Sequence, residues 1–443
     1  MSRVKDMSTL LATLNPSRWF TGLWRNPTFV TLWGSLTLHH FGGQVTFLAL
    51  PLTAALVLNA SPLEVGVLTA LGALPYPLFG LFAGVLVDRA RKLPVIIACD
   101  VGRALALGMI PVCAWMGALN MAILYAANFM VGLFTVIGWP AYQVFMTERV
   151  GRENLVEANA KIGLADSAAQ LIGPGIAGAL IQWLTAPFAI LLDAFCFGIS
   201  AWMLRDIPPA ATDVPKVIAR SILSEIMEGL RVVWHNRTLR ALVWAVSVWQ
   251  IFRHAFIAIV VLFAARELGF SPGQVGVLFM VAGLGSLLAT GVTARLNARF
   301  GMGPTMLGGI AGTGIAWLVI GSAHGSFWTA SIIFGVGLFA LDLTAMVFFI
   351  NYLSVRQAVT PDRLLGRVTA TLICLTVATA PLGGLAGGLV GEHWGLRTAM
   401  LLAGVGALLL GPLVAWLSPL MSMRVLPGPQ ELAVESVAEE LTS

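Results

Sequence analysis

Apolar runs of roughly 20 residues recur along the whole chain, each long enough to cross a bilayer core of about 30 Å. In lipid a backbone must satisfy its own hydrogen bonds, so each run is a helix or a strand of a closed barrel. The runs are continuous rather than alternating, which excludes the barrel. Composition points the same way. Of 443 residues, 58% are hydrophobic and 11% charged, against about 25% charged in a soluble domain. A chain of this length cannot cover soluble domains with so little polar surface.

The expected spans are 28–58, 63–87, 93–117, 120–146, 160–184, 186–205, 239–265, 273–298, 304–323, 326–354, 366–391 and 396–420. Of the 26 Lys and Arg residues, 22 fall in the N-terminus, alternate loops and the C-terminus. Arg266 and Arg397 alone fall in the other loops, and Arg103 and Arg253 inside spans. Positive-inside bias then puts both termini in the cytoplasm. The net charge of +5 therefore reflects topology, and nucleic acid is not an expected partner. Cys99, Cys113, Cys196 and Cys374 lie in apolar runs without metal or redox spacing, and read as small packing residues. No removable signal peptide is expected.

The chain repeats itself. Asn26 and Thr28 recur as Asn236 and Thr238, and Ser61-Pro62 with Val65-Gly66-Val67-Leu68 as Ser271-Pro272 with Val275-Gly276-Val277-Leu278, 210 residues on. Glu153-Asn154-Leu155 parallels Asp362-Arg363-Leu364, and Ala177-Gly178 parallels Ala386-Gly387, at an offset of 209. The fold expected is an all-α membrane protein of twelve transmembrane helices in two parallel six-helix repeats. Such repeats are a transporter architecture with the substrate site between halves near the midplane. The expected organisation is a cytoplasmic N-terminus (1–27), a first bundle (28–205), a linker (206–237), a second bundle (238–421) and a disordered acidic tail (422–443). In the linker, Ile218, Ile222, Ile226 and Leu230 recur every four residues, as in an amphipathic helix on the membrane surface.

Several segments carry a family resemblance. The loop after the second span holds Gly84, Asp88, Arg89, Arg91 and Lys92. It resembles the signature loop of the major facilitator superfamily, shortened by the Gly that usually precedes the final basic residues. Gly173-Pro174-Gly175 with Gly178 is similar to the glycine-proline motif of the superfamily's exporters. Ala49-Leu50-Pro51, Asp100-Val101-Gly102-Arg103, Leu191-Leu192-Asp193-Ala194, the stretch from Thr360 to Arg367 and Pro381-Leu382-Gly383 look like one branch. That branch includes the enterobactin exporter and macrolide efflux pumps. Leu365 stands where an Arg is common. The resemblance covers about residues 24 to 420 and implies a bacterial inner-membrane efflux pump, monomeric, with a small-molecule substrate, protons and membrane lipids as partners. It does not identify the substrate.

For the signature loop the resemblance implies a gate latch built on Asp88, Arg89, Arg91 and Lys92; a plain topology signal is the alternative. Asp100 and Arg103 share a helix face as a structural ion pair or part of the latch. Gly173, Pro174 and Gly175, like Gly383, Gly384, Gly387 and Gly388, permit a hinge and seal, or simple tight packing. His40 and Gln44 on the first span recur in swapped order as Gln250 and His254 on the seventh, with Arg253 adjoining. We expect this face to line the substrate cavity, the alternative being interhelical hydrogen bonds. Asp342, mid-way along the tenth span, is the expected proton-coupling residue, since lone intramembrane carboxylates mark proton pathways; the rival is a static salt bridge to Arg253. Asp166 and Asp193 are weaker candidates. No phosphate-binding loop, metal motif or catalytic nucleophile motif is visible, so no cofactor or metal is expected, the chain is not read as an enzyme, and the proton gradient is the expected energy source. Import, lipid flipping and a non-transporting membrane sensor remain as alternatives to export.

Overall fold

The computed structural model describes residues 22–208, 222–360 and 364–424. Among these there are helices and no strands, and twelve segments are long and apolar enough to cross a membrane. The first half comprises α1 (Pro27–Leu52), α2 (Pro62–Ala73), α3 (Pro75–Arg89), α4 (Lys92–Trp115), α5 (Met121–Val150), α6 (Leu155–Leu184) and α7 (Ala186–Leu204). After the linker helix α8 (Ile222–His235), the second half comprises α9 (Arg237–Arg266), α10 (Pro272–Phe300), α11 (Met302–Gly321), α12 (Phe327–Ala358), α13 (Leu365–Val377), α14 (Ala380–Trp394) and α15 (Leu396–Leu417).

The repeat is visible in the helix starts. Asn26 caps α1 by accepting from Phe29 N–H, and Asn236 caps α9 by accepting from Thr238 and Leu239 N–H. Ser61 with Glu64 and Ser271 with Gln274 form matching capping boxes on α2 and α10, each satisfying donors that lipid could not. Two of the expected continuous spans are broken. The second divides at Leu74, because Pro75 lacks an N–H and its ring would crowd the preceding turn. The eleventh divides before Pro381, where Thr379 Oγ1 donates to Ser247 O of the neighbouring α9 at 2.8 Å. Ile218, Pro361, Asp362, Arg363 and the tail beyond Arg424 lie outside the described residues, as do the side chains of Asp88, Gly366, Arg367, Ile222 and Ile226.

Each half packs as its own bundle: α1, α4, α5 and α7 in the first, and α10, α11, α12 and α15 in the second. The halves meet most extensively along two seams, α2 against α14 and α6 against α10, with further contacts of α9 on α2 and of α13 on α3. Glycines let the backbones approach. A Cβ on Gly66 would lie 2.6 Å from Gly384 O and 2.7 Å from Gly388 Cα, and one on Gly178 2.6 Å from Pro272 O. Both seams sit at the end where α2 and α10 begin, opposite the ends that carry Arg89, Arg91, Arg295 and Arg299. Two further bonds tie the halves there: Leu63 N–H donates to Glu392 at 3.2 Å and Gly273 N–H to Gln182 at 3.1 Å.

Candidate binding cavity

A cavity of about 420 Å³ lies between the halves, within the usual size range of small-molecule pockets. From the first half it is bordered by Gln44 and Phe47 of α1 and Gln170 and Pro174 of α6. From the second it takes Trp249, Arg253 and Phe256 of α9, Phe279 of α10, Trp317 of α11 and Asp342 of α12. Trp249, Arg253, Phe256 and Val260 are spaced by four, three and four residues, so one stripe of α9 faces the space.

The wall is held in place by side chains behind it. Trp249 Nε1–H donates to Thr313 Oγ1 at 3.0 Å. One turn on, Trp317 stacks on Phe256 with centroids 5.2 Å apart, and its own Nε1–H is buried without a partner. Phe47 and Phe279, one from each half, meet edge to face at 5.8 Å. Gly173 makes room for Gln44: a Cβ there would lie 2.6 Å from Gln44 Cγ. Gly175 likewise accommodates Met280, and Pro174 O abuts Gly276 across the seam. The glycine-proline segment thus shapes both the cavity wall and the contact between halves.

Two opposite charges share the cavity. The Arg253 guanidinium sits 5.6 Å from the Trp249 ring centroid, a cation–π distance. Asp342 borders the same space, within electrostatic reach of Arg253. No ion pair within 4.0 Å joins them among the described residues. The two charges therefore act on each other through space, without a direct salt bridge.

The other sequence-selected residues fall elsewhere. His254 lies against α14, where a Cβ on Gly383 would meet His254 Cβ at 3.0 Å, and its Nδ1 is 3.0 Å from Gln250 O. Neither His254 nor the half-buried Gln250 borders the cavity. His40 borders Asp166 instead, with Nδ1 3.1 Å from Asp166 Oδ1. Asp100 is fully buried; it accepts from Arg103 at 2.8 Å and Ser200 at 2.5 Å, and Ser200 contacts Ser35 at 2.6 Å. Arg103 also lies 4.4 Å from the Phe197 ring centroid. This cluster binds α1, α4 and α7 together, away from the cavity. Asp193 is buried as well, accepting from Thr46 Oγ1 while packed against Gly42. Arg89 and Arg91 are exposed between α3 and α4, and Lys92 is buried at the start of α4. Sequence reasoning passed over His39, Trp249, Gln170 and Trp317. Trp249 and Arg253 share the four-residue spacing that marks a common face. His39 sits 3.2 Å from Asp100, and an adjacent pair of histidines on one helix necessarily points two ways.

Among protein families, the one described as "Transmembrane secretion effector" matches residues 20–440. The chain belongs to this family of major facilitator transporters. The transporter is 27% identical over 420 residues to the multidrug efflux pump Tap of Mycolicibacterium fortuitum, covering 91% of this chain and 99% of that one. It is 28% identical over 178 residues to macrolide efflux protein A of Enterococcus faecalis, covering 40% and 54% of the two chains. Among solved structures, the nucleoside transporter NupG (D323A mutant) superposes with a TM-score of 0.73 at 11% identity, covering 88% of the transporter and 99% of that chain. A bacterial homologue of the human lysosomal transporter Spinster superposes with a TM-score of 0.69 at 15% identity, covering 92% and 100%. These superpositions concern the fold.

Proposed function

We propose that the transporter exports amphipathic small molecules (a drug, siderophore or other secondary metabolite) by proton antiport with alternating access. The cavity carries this reading: an aromatic wall holds a cation and an anion that face each other without a direct salt bridge among the described residues, beside glycine seams between the halves. Trp249 and Phe256 form the apolar aromatic wall, backed by the fully buried Trp317, and Arg253 binds an anionic or electron-rich group. Asp342 takes up the proton that competes with substrate for the Arg253 side of the cavity. The efflux pumps to which the chain is similar support export.

In this proposal both termini face the cytoplasm, the protein is a monomer in the inner membrane, and the glycine seams close the external end. Arg89, Arg91 and Lys92, with Asp88, form the latch at the cytoplasmic end, while Asp100 and Arg103 brace the first bundle beside it. Everted membrane vesicles, energised to an acid interior and reported by a pH-quenched dye, test the proposal. Macrolides, dyes and catecholate siderophores are added in turn. A compound that dissipates the gradient only in vesicles with the wild-type protein supports proton-coupled export. Silence across the panel with abundant folded protein refutes antiport of these classes.

A further inference from the structure

His39 and His40 are consecutive on α1, and a helical step of about 100° turns their rings to different neighbours. His39 faces the dry cluster in which Asp100 is already paired with Arg103. His40 faces Asp166 on α6, whose second oxygen accepts from Gln170 Nε2 at 2.8 Å. The His40 side chain is 22% exposed and that of Asp166 40%, so the pair is not sealed inside the protein core. His40 Nε2 is enclosed with no hydrogen-bond partner among the described residues.

We propose that His40 and Asp166 form a second proton-binding site, linked to the substrate cavity through Gln170. The argument is one of charge. Asp166 is the one acidic side chain within 4.0 Å of the His40 ring, and no Lys or Arg pairs with Asp166 among the described residues. With a neutral imidazole the pair carries one negative charge; with one proton added it is a neutral ion pair. The charge toggles on a single proton, as a coupling site requires. His39 cannot do the same. Arg103 already neutralises Asp100, so a proton there would leave an uncompensated charge around a carboxylate that is 0% exposed, which is costly in a membrane interior.

The other charged groups near α1 are otherwise engaged. On α6, Lys161 pairs with Glu157 at 3.4 Å and lies over Trp24. Asp193 of α7 is bonded to Thr46. On α5, Arg149 donates to Pro208 O. Arg253 of α9 stands across the cavity over Trp249. Gln170 supplies the link, because it both donates to Asp166 and borders the cavity. A substrate that captures this amide removes a donor from Asp166, so substrate and proton affinities become reciprocally coupled. With Asp342 in the second half, each half then holds one proton-binding carboxylate. The link to substrate rests on the export proposal; the proton site itself does not.

The test uses the full chain, labelled with 15N-histidine, in lipid nanodiscs without substrate. Ring resonances are followed between about pH 5 and pH 8, where histidine changes charge. The His40 resonance is the one that disappears in His40→Gln, or, should that variant not fold, the one left when the other five histidines are replaced. We expect it to convert between neutral and doubly protonated forms, with a different midpoint in Asp166→Asn, because the variant removes the one acidic partner of the ring among the described residues. A His40 ring that does not titrate, or whose midpoint is the same in Asp166→Asn, overturns the proposal. No substrate is involved, so this failure leaves export standing, and a negative vesicle assay leaves the titration unaffected.

Discussion

Adding one methyl group at a seam should open the end that the seams close. In Gly276→Ala the new Cβ would lie 2.9 Å from Gly178 Cα and 3.1 Å from Gly178 N, and closer still to Pro174 O. These are backbone atoms, so no side chain can swing aside. Carbon contacts relax toward about 3.5–4.0 Å, which requires α6 and α10 to separate by roughly 0.5–1 Å. Overpacking of this kind costs about 1–3 kcal/mol. The cost falls only on the state in which the seam is closed, so it shifts the conformational equilibrium rather than unfolding the chain. At about 1.4 kcal/mol per tenfold, the open fraction rises roughly 5- to 140-fold. Gly43 borders the cavity and has nothing within 4 Å of a Cβ, so Gly43→Cys is a tolerated reporter once Cys99, Cys113, Cys196 and Cys374 are replaced by Ala. A membrane-impermeant maleimide added to intact cells should label it faster in Gly276→Ala by that factor. Gly66→Ala, across the other seam, should act alike. If labelling is no faster in either variant while both remain folded, the seams do not control access to the cavity.

Three more outcomes are expected. Asp342→Asn should lower gradient-driven efflux by about 5- to 150-fold, the scale of a coupling free energy of 1–3 kcal/mol, while substrate exchange without a gradient persists; unchanged proton coupling in vesicles would exclude Asp342 as the coupling residue. Asp100→Asn should destabilise the folded protein by about 3–5 kcal/mol by leaving Arg103 buried without its counter-charge, read as lost thermal stability in detergent, and a wild-type melting curve would contradict the buried-pair account. Gln44→Cys should react with polar thiol reagents while His254→Cys should not, because Gln44 borders the cavity and His254 lies against α14; equal reactivity would mean that the wall is drawn wrongly.

The twelve spans and the duplication were legible because they rest on length, hydropathy and a fixed offset, which the bilayer imposes on the sequence directly. Which face of a span meets which neighbour was not legible, because in lipid the apolar pattern no longer separates outside from inside: hydrocarbon and core both accept Leu, Ile and Phe. Thus α1 was expected to present His40 and Gln44 to one space, whereas His40 pairs with Asp166 and Gln44 borders the cavity. On α9 the swapped pair drew the eye to Gln250 and His254, yet the tryptophan one turn before Arg253 marks the face that lines the cavity. Small residues were informative in kind but silent on direction. Gly383 and Gly387 face α9, while their sequence neighbours Gly384 and Gly388 face α2.

The duplication nevertheless constrains the gate more tightly than any single motif. Gly66 approaches Gly388, and shifting both partners by 210 in opposite directions gives Gly276 against Gly178, the contact at the other seam; at this seam Gly178 thus corresponds to Gly388, one residue beyond the Gly387 that the offset of 209 pairs it with. The same exchange converts the bond from Leu63 N–H to Glu392 into that from Gly273 N–H to Gln182. Each seam therefore joins the second span of one half to the fifth of the other, and both lie at one end. Because each half is a packed bundle, rocking one against the other strains or relieves both seams together. In the proposed alternating-access cycle, closure of that end is then one cooperative event rather than two independent latches. The energetic consequence is specific: Gly66→Ala and Gly276→Ala act on a single equilibrium, so their free energies add and their effects on the open fraction multiply until the open state dominates.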